Sequence, residues 1–500
     1  MKVTPIPALA LLAAVIVDVS VLAHGLPMLR HDWRIPSDPA ALSFQLFSYT
    51  SGWIYAGIGA PQPYPTFYII ALPLWALAAI GAPSVLVVAV VLTAATLLLF
   101  FSAAAIAREA ALPVRAACGA FAALNPWVYS EYVAGHIFMV LGLGFVLALL
   151  AEMLRPVPRS SVLIAFAALA ITQLEFFALA LLPVVAWAVA RRRYAVATAP
   201  LLAALPIAIG IVGDLPALRE IPYLLPWQSV QSIPLQRGVL TLGAPEGYDR
   251  AFDAVWLALL AGALLAVPGL LRCFGNRFRA IVVLVCVCGV IFASGTTGPI
   301  AGLYAWIVVH VRASALFREL YDLIALAVVG IVFGWALAPR WKALEIPIAI
   351  VALAIVIPWL IQPPSRWFVP SSEIPRVATQ QAPLARAAFL PAFQPLAFEG
   401  RGSGVDPDAF PRPGYAQPIN TPELLYPVDA ALGRLTRGDM SAVAALGVTE
   451  VIARGYFSPS AGGHGVTRRR VAPAVALFTY STRPPAVTGV PDVHGAHRSP

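Results

Sequence analysis

The chain predicts an all-α polytopic membrane protein with a small, partly irregular α/β domain near its C-terminal end. Three observations carry that reading. Of its 500 residues 60% are hydrophobic and 11% charged, against about 25% charged in soluble domains. Apolar runs approaching the ~20 residues needed to cross a bilayer recur from residue 6 to residue 361. From about residue 362 those runs stop, prolines multiply and charges of both signs appear. The net charge of +9 sits in short clusters between apolar runs, a pattern of membrane orientation rather than nucleic-acid binding. Cys118, Cys286 and Cys288 lie in apolar runs and Cys273 in a basic loop. They offer neither a disulfide framework nor metal-ligand spacing.

The first run, residues 6–23, follows Lys2 and carries Asp18. It reads as a first crossing from a cytoplasmic N-terminus, or, through Val21-Leu22-Ala23, as a cleaved signal peptide. Either places the next segment outside. Residues 66–80 are apolar but short, with Pro73 inside. If they crossed, Arg108, Arg115 and every later basic cluster would face outward, against the cytoplasmic preference of Lys/Arg-rich loops. They are expected to lie along the outer face instead. The remaining crossings are 84–106, 114–129, 137–153, a pair within 161–190 turning near residues 172–175, 195–212, 252–270, 280–294, 320–338 and 343–361. With the first that makes about 11 transmembrane helices. Each arm of the pair gives only about 20 Å of helix against a core of about 30 Å, so tilted or incomplete helices are expected there. The organisation is thus a transmembrane domain over 1–362, with an outer loop and juxtamembrane helices at 24–83. An extracytoplasmic domain over 363–481 follows, then a disordered tail at 482–500. Within the outer domain, residues 439–457 read as a helix, a turn at Gly447 and a short strand.

The early outer segment, LRHDWRIPSDPAALSFQLFSYTSGWIYAGIGAPQPYPTFY over 29–68, holds the first chemical candidates. Asp32 stands between His31 and Trp33, and Asp38 directly precedes Pro39. Either can act as a base that takes the proton of an acceptor hydroxyl. Against that stand a solvated loop acid at Asp32 and a helix N-cap at Asp38, with Pro39 at the first helical position. Trp53, Tyr64 and Tyr68 suit either headgroup-level anchoring or stacking against a sugar. Glu131 and His136 follow Asn125-Pro126 in a second outer segment, 129–136. They offer a second acid or base, a metal ligand or a phosphate partner, or else a simple polar pair. Arg312 and Arg318 are cations placed outside against the topological bias. They suit the grip of a phosphate or pyrophosphate, or headgroup anchoring, or pairing with Glu319 and Asp322. Asp18 and Glu175 lie in apolar runs, where an acid is costly unless it faces the bundle interior. The stretch SGTTGP has neither the spacing nor the lysine of a P-loop.

Four stretches together resemble the GT-C superfamily of integral-membrane glycosyltransferases, which use polyprenyl-phosphate-linked sugars. They are PQPYPTFYIIALPLW after the early acidic loop, LNPWVYSEYVAGHIFMVLG, FRELYD and ALGVTEVIARGYF. The second is similar to the Asn-Pro-aromatic and Gly-His signature of bacterial and archaeal members related to arabinofuranosyl- and mannosyltransferases. The resemblance implies an inverting transfer on the outer face to an envelope glycan, lipid or protein acceptor, with the early loop Asp as base. By position that is Asp32. The superfamily often pairs this Asp with a second acid, whereas His31 and Trp33 flank it here, so Asp32 and Asp38 both stay open. Some members bind a divalent cation such as Mg or Mn and others do not. The alanine-, arginine- and proline-rich composition points to the inner membrane of a GC-rich bacterium. A transporter or flippase for lipid-linked sugars is the alternative from another class, and would favour inverted repeats, none of which is visible. A non-catalytic envelope-assembly protein is the third.

Overall fold

The structure, a computed structural model, describes residues 5–28, 35–36, 38–48, 53–54, 60–61, 68–169, 172–205, 208–209, 212, 242, 253–311, 323–338, 342–367, 369–370, 387–390, 396–398, 402–404, 434–435, 437–442, 450–454, 466–472 and 475–480. The chain forms two compact units. One comprises residues 1–23 and 88–367, the other residues 24–87 and 368–500.

The first unit is helical. Its helices are α1 (Ile6–Leu22), α4 (Ser84–Ile106, which begins just before the unit), α5 (Leu112–Leu124), α6 (Pro126–Ala134), α7 (Ile137–Met153), α8 (Ser160–Leu169), α9 (Leu174–Ala190), α10 (Ala195–Ala203), α11 (Asp253–Cys273), α12 (Arg277–Ala293), α13 (Ala301–His310), α14 (Ala325–Leu337) and α15 (Lys342–Ile361). Among the described residues three helical stretches are long and apolar enough to cross a membrane: Ser84–Ile106, Val255–Cys273 and Ala343–Arg366. Shorter apolar helices accompany them, among them Ile6–Leu22, Ile137–Met153, Ser160–Leu169 and Ala325–Leu337. Large apolar side chains face outward at helical spacing, as Leu257, Leu264 and Leu271 do every seventh residue on α11. In water such a stripe would be a liability; against lipid it is the expected surface.

The break inside 161–190 falls where the sequence places it, between α8 and α9. α8 has 10 residues, about 15 Å of helix, shorter than a bilayer core. The expected crossing 114–129 is different. It stops at Leu124 and restarts as α6, whose buried residues 129–133 fall within the expected outer segment 129–136. α11 and α14 approach so closely that a Cβ on Gly269 would lie 1.9 Å from the Gly334 carbonyl oxygen. Beside that contact the Trp335 indole donates to the Gly262 carbonyl at 2.8 Å, and its ring packs 4.9 Å from Phe121 of α5.

The second unit combines α2 (Pro39–Ser48) and α3 (Tyr68–Ala79) with short strands. α3 has 12 residues with Pro73 inside, about 18 Å of helix. Phe47 and Trp75 join it to α2, their rings 6.0 Å apart. β1 (Pro27–Met28) pairs antiparallel with β4 (Val369–Pro370), Pro27 opposite Pro370 and Met28 opposite Val369. β2 (Trp53–Ile54) pairs with β3 (Ala60–Pro61), and β6 (Leu396–Phe398) with β7 (Gly402–Gly404). The largest sheet runs β5-β8-β10-β9, from Ala387–Leu390, Glu450–Arg454, Val475–Tyr480 and Val466–Ala472. β8 is the strand expected from ALGVTEVIARGYF. It pairs parallel with β5 and antiparallel with β10, and its Val451 is buried. The turn expected at Gly447 lies outside the described residues, as do residues 482–500.

Candidate functional site

The site of the first unit is built on Asn125. Its Oδ1 accepts from the Trp127 and Val128 amides at 2.9 and 3.2 Å, capping α6. Its Nδ2 donates to the Phe121 and Ala122 carbonyls, both at 3.0 Å, closing the end of α5. One buried amide therefore satisfies the orphan groups of two helix ends at once. Pro126 takes the first helical position, where a missing N–H costs nothing.

α6 ends at Gly135, whose φ of +94° is left-handed, a conformation glycine adopts without a Cβ penalty. The Gly135 and His136 amides both donate to the Glu131 carbonyl, at 2.9 and 2.8 Å. That turn folds His136 back on the residue that terminates it. His136 Nδ1 stands 2.7 Å from Glu131 Oε2, with the two side chains 14% and 4% exposed. A carboxylate held this way fixes the imidazole's orientation.

α6 is docked by aromatic contacts and long-range hydrogen bonds. The Tyr129 hydroxyl donates to the Gln362 carbonyl at 2.6 Å, and the Trp359 indole to the Leu124 carbonyl at 2.8 Å. Tyr129 and Tyr132 both meet Trp359 edge-on, with centroids 5.3 and 6.1 Å away. Ser20 of α1 donates to the Trp359 carbonyl at 3.2 Å. Two residues earlier, Asp18 Oδ2 accepts from Thr93 of α4 at 2.6 Å. Its other oxygen is buried without a partner among the described residues. The acid in the first apolar run thus faces the bundle interior, as its cost in lipid requires.

Asp38 lies in the second unit and caps α2, its oxygens accepting from the Ala40 and Ala41 amides at 3.3 and 3.1 Å. Trp53 is in β2, and Tyr68 is the first residue of α3. Asp32, Tyr64, Arg312 and Arg318 lie outside the described residues. Of the sequence candidates the structure therefore brings Glu131 and His136 together. Sequence reasoning missed Tyr129, Tyr132, Thr93 and Trp359. Tyr129 and Tyr132 stood in a stretch read as the outer segment 129–136, and Thr93 and Trp359 inside apolar runs. Among the described residues no three His, Cys, Asp or Glu side chains converge as a metal site. Glu131 and His136 alone do not complete one for Mg or Mn.

The fold of the chain is similar to that of a solved arabinofuranosyltransferase. It matches the cryo-EM structure of the arabinofuranosyltransferase AftD from Mycobacteria with a TM-score of 0.61 and 14% identity, over 97% of this chain and 40% of that one. A mutant form of the same enzyme gives a TM-score of 0.56 and 14% identity, over 96% of this chain and 42% of that one. At this identity the likeness is one of fold, and the chain spans about two fifths of that enzyme's length. No protein-family model matches the chain, and no curated protein matches it by sequence.

Proposed function

We propose that the protein is a membrane glycosyltransferase that moves a sugar from a polyprenyl-phosphate donor to an envelope glycan or lipid. An arabinofuranosyl group is the first sugar to test. The observation that carries this reading is the fold shared with AftD along nearly the whole chain. Asp32 takes the proton of the acceptor hydroxyl as its oxygen attacks the anomeric carbon, and the polyprenyl phosphate leaves from the opposite face. Asp38 serves as the cap of α2, a duty its two amide hydrogen bonds support. Arg312 and Arg318 hold the departing phosphate through charge-assisted hydrogen bonds. Trp53, Tyr64 and Tyr68 stack against sugar rings. Glu131 orients His136, which binds the donor phosphate. No step is routed through a divalent cation. The protein sits in the bacterial inner membrane with about 11 crossings, its N-terminus cytoplasmic and the part after residue 362 extracytoplasmic.

The test is transfer from radiolabelled polyprenyl-phosphate sugars to envelope acceptors, in membranes carrying equal amounts of wild type, Asp32→Asn or Asp38→Asn. Loss of a general base costs on the order of 10²–10⁴ in rate. That loss is expected for Asp32→Asn, with activity largely kept in Asp38→Asn. Transfer that survives Asp32→Asn removes Asp32 as the base. No transfer by wild type across a donor panel overturns the enzyme and favours a carrier of lipid-linked sugars.

A further inference from the structure

A cavity of about 200 Å³ lies in the first unit at the end away from Asn125. α5 runs from this cavity at Val114 to the capped end at Leu124, and α15 runs from it at Glu345 to Trp359. Its walls are the turn between α4 and α5, the end of α11, the start of α12, the end of α14 and the first turns of α15. Four charged residues line it: Glu109, Arg272, Arg279 and Glu345. None of the four has an ion pair among the described residues, unlike Arg159, which pairs with Glu152 at 2.9 Å. Trp335 and Ile348, each 1% exposed, supply an apolar floor.

Two guanidinium groups and two carboxylates share one space, Glu109 and Arg272 exposed and Arg279 and Glu345 half-buried, an arrangement that suits a guest carrying both signs. An anion alone would leave Glu109 and Glu345 unanswered, and a cation alone would leave the arginines. The cavity is framed by the ends of apolar helices, the level at which phospholipid headgroups sit. A guanidinium fork suits a phosphate, and a carboxylate suits an ammonium that can still donate hydrogen bonds. We propose that this cavity binds a phospholipid headgroup bearing a phosphate and a primary ammonium, the phosphate on Arg272 and Arg279 and the ammonium on Glu109 and Glu345. Such a lipid would tie α5, α11, α12, α14 and α15 together at the end of the bundle away from Asn125.

The experiment is native mass spectrometry of the delipidated full-length protein titrated with phosphatidylethanolamine, phosphatidylglycerol and phosphatidylcholine. Phosphatidylethanolamine should be retained about tenfold more tightly than either competitor. Glu345→Gln should erase the preference over phosphatidylglycerol. Arg279→Gln should weaken all three, and Arg279→Lys should restore part of that loss. Equal retention of the three lipids by wild type overturns the proposal without need of any variant. So does a preference that Glu345→Gln leaves unchanged in a protein that still elutes as wild type. If soluble phosphoethanolamine protects the protein from thermal unfolding while the lipid is not retained, the guest is a soluble metabolite and the lipid assignment falls.

Discussion

Removing the Asn125 side chain strands two amides at the start of α6 and two carbonyls at the end of α5 in a buried place. A lost cap costs about 1–2 kcal/mol, and unpaired buried groups add to that. Asn125→Ala should therefore lower the melting temperature of the purified protein clearly. Asn125→Asp keeps the acceptor but not the donors, and should fall in between. Half of this role was legible in the sequence, since Asn-Pro before an aromatic run signals a helix start. The other half was not, because the carbonyls belong to a helix that the apolar run suggested should continue. Glu131 and His136 were legible as residues but not as neighbours. Their contact depends on one left-handed glycine, and Gly135→Ala should loosen it as well as the helix end. A second residue-scale effect concerns acid. The Ser441 hydroxyl and amide donate to Asp439 at 2.6 and 3.0 Å and hold its carboxyl below the usual carboxylate range. A depressed folded value stabilises this turn at pH above the ordinary carboxylate value, and the gain is lost as pH falls through the depressed one. Ser441→Ala should move that loss to higher pH, read as faster amide exchange over residues 437–442 near pH 4.

Elements were easiest to read where apolar length alone decides. α4, α7, α11 and α15 lie close to the apolar runs that announced them, because a bilayer dictates both length and composition. α6 escaped for the converse reason. It is nine residues long and carries Ser130 and Glu131, and its burial comes from Trp359 and Gln362 far away in sequence. The glycine contact between α11 and α14 was also invisible, since nothing local marks Gly269 or Gly334 as facing each other. A methyl on Gly269 must push a backbone oxygen aside, and such overpacking costs about 1–3 kcal/mol. Gly269→Ala should reduce thermal stability by that order. Gly302→Ala, with nothing within 4 Å of the added carbon, serves as the control and should not.

The whole molecule poses a topological question that labelling answers. In a cysteine-free background, Arg193→Cys should react with a membrane-impermeant maleimide only after the cytoplasmic side is opened. Ser499→Cys should react from outside. Labelling of both from one side would overturn the proposed orientation. Sequence patterning exposed the apolar scaffold but not the make-up of the second unit, which draws on residues 24–87 and 368–500 together. Its clearest tie is the antiparallel pair of β1 and β4, two short segments that come after α1 and after α15 in the chain. Local signals are silent about a partner so distant. During synthesis, Met28 leaves the ribosome about 340 residues ahead of Val369. At about 5–20 residues per second, the early segment waits on the order of tens of seconds for the strand that completes it. For that interval the helices of the first unit are made while the early segment still lacks the strand it pairs with.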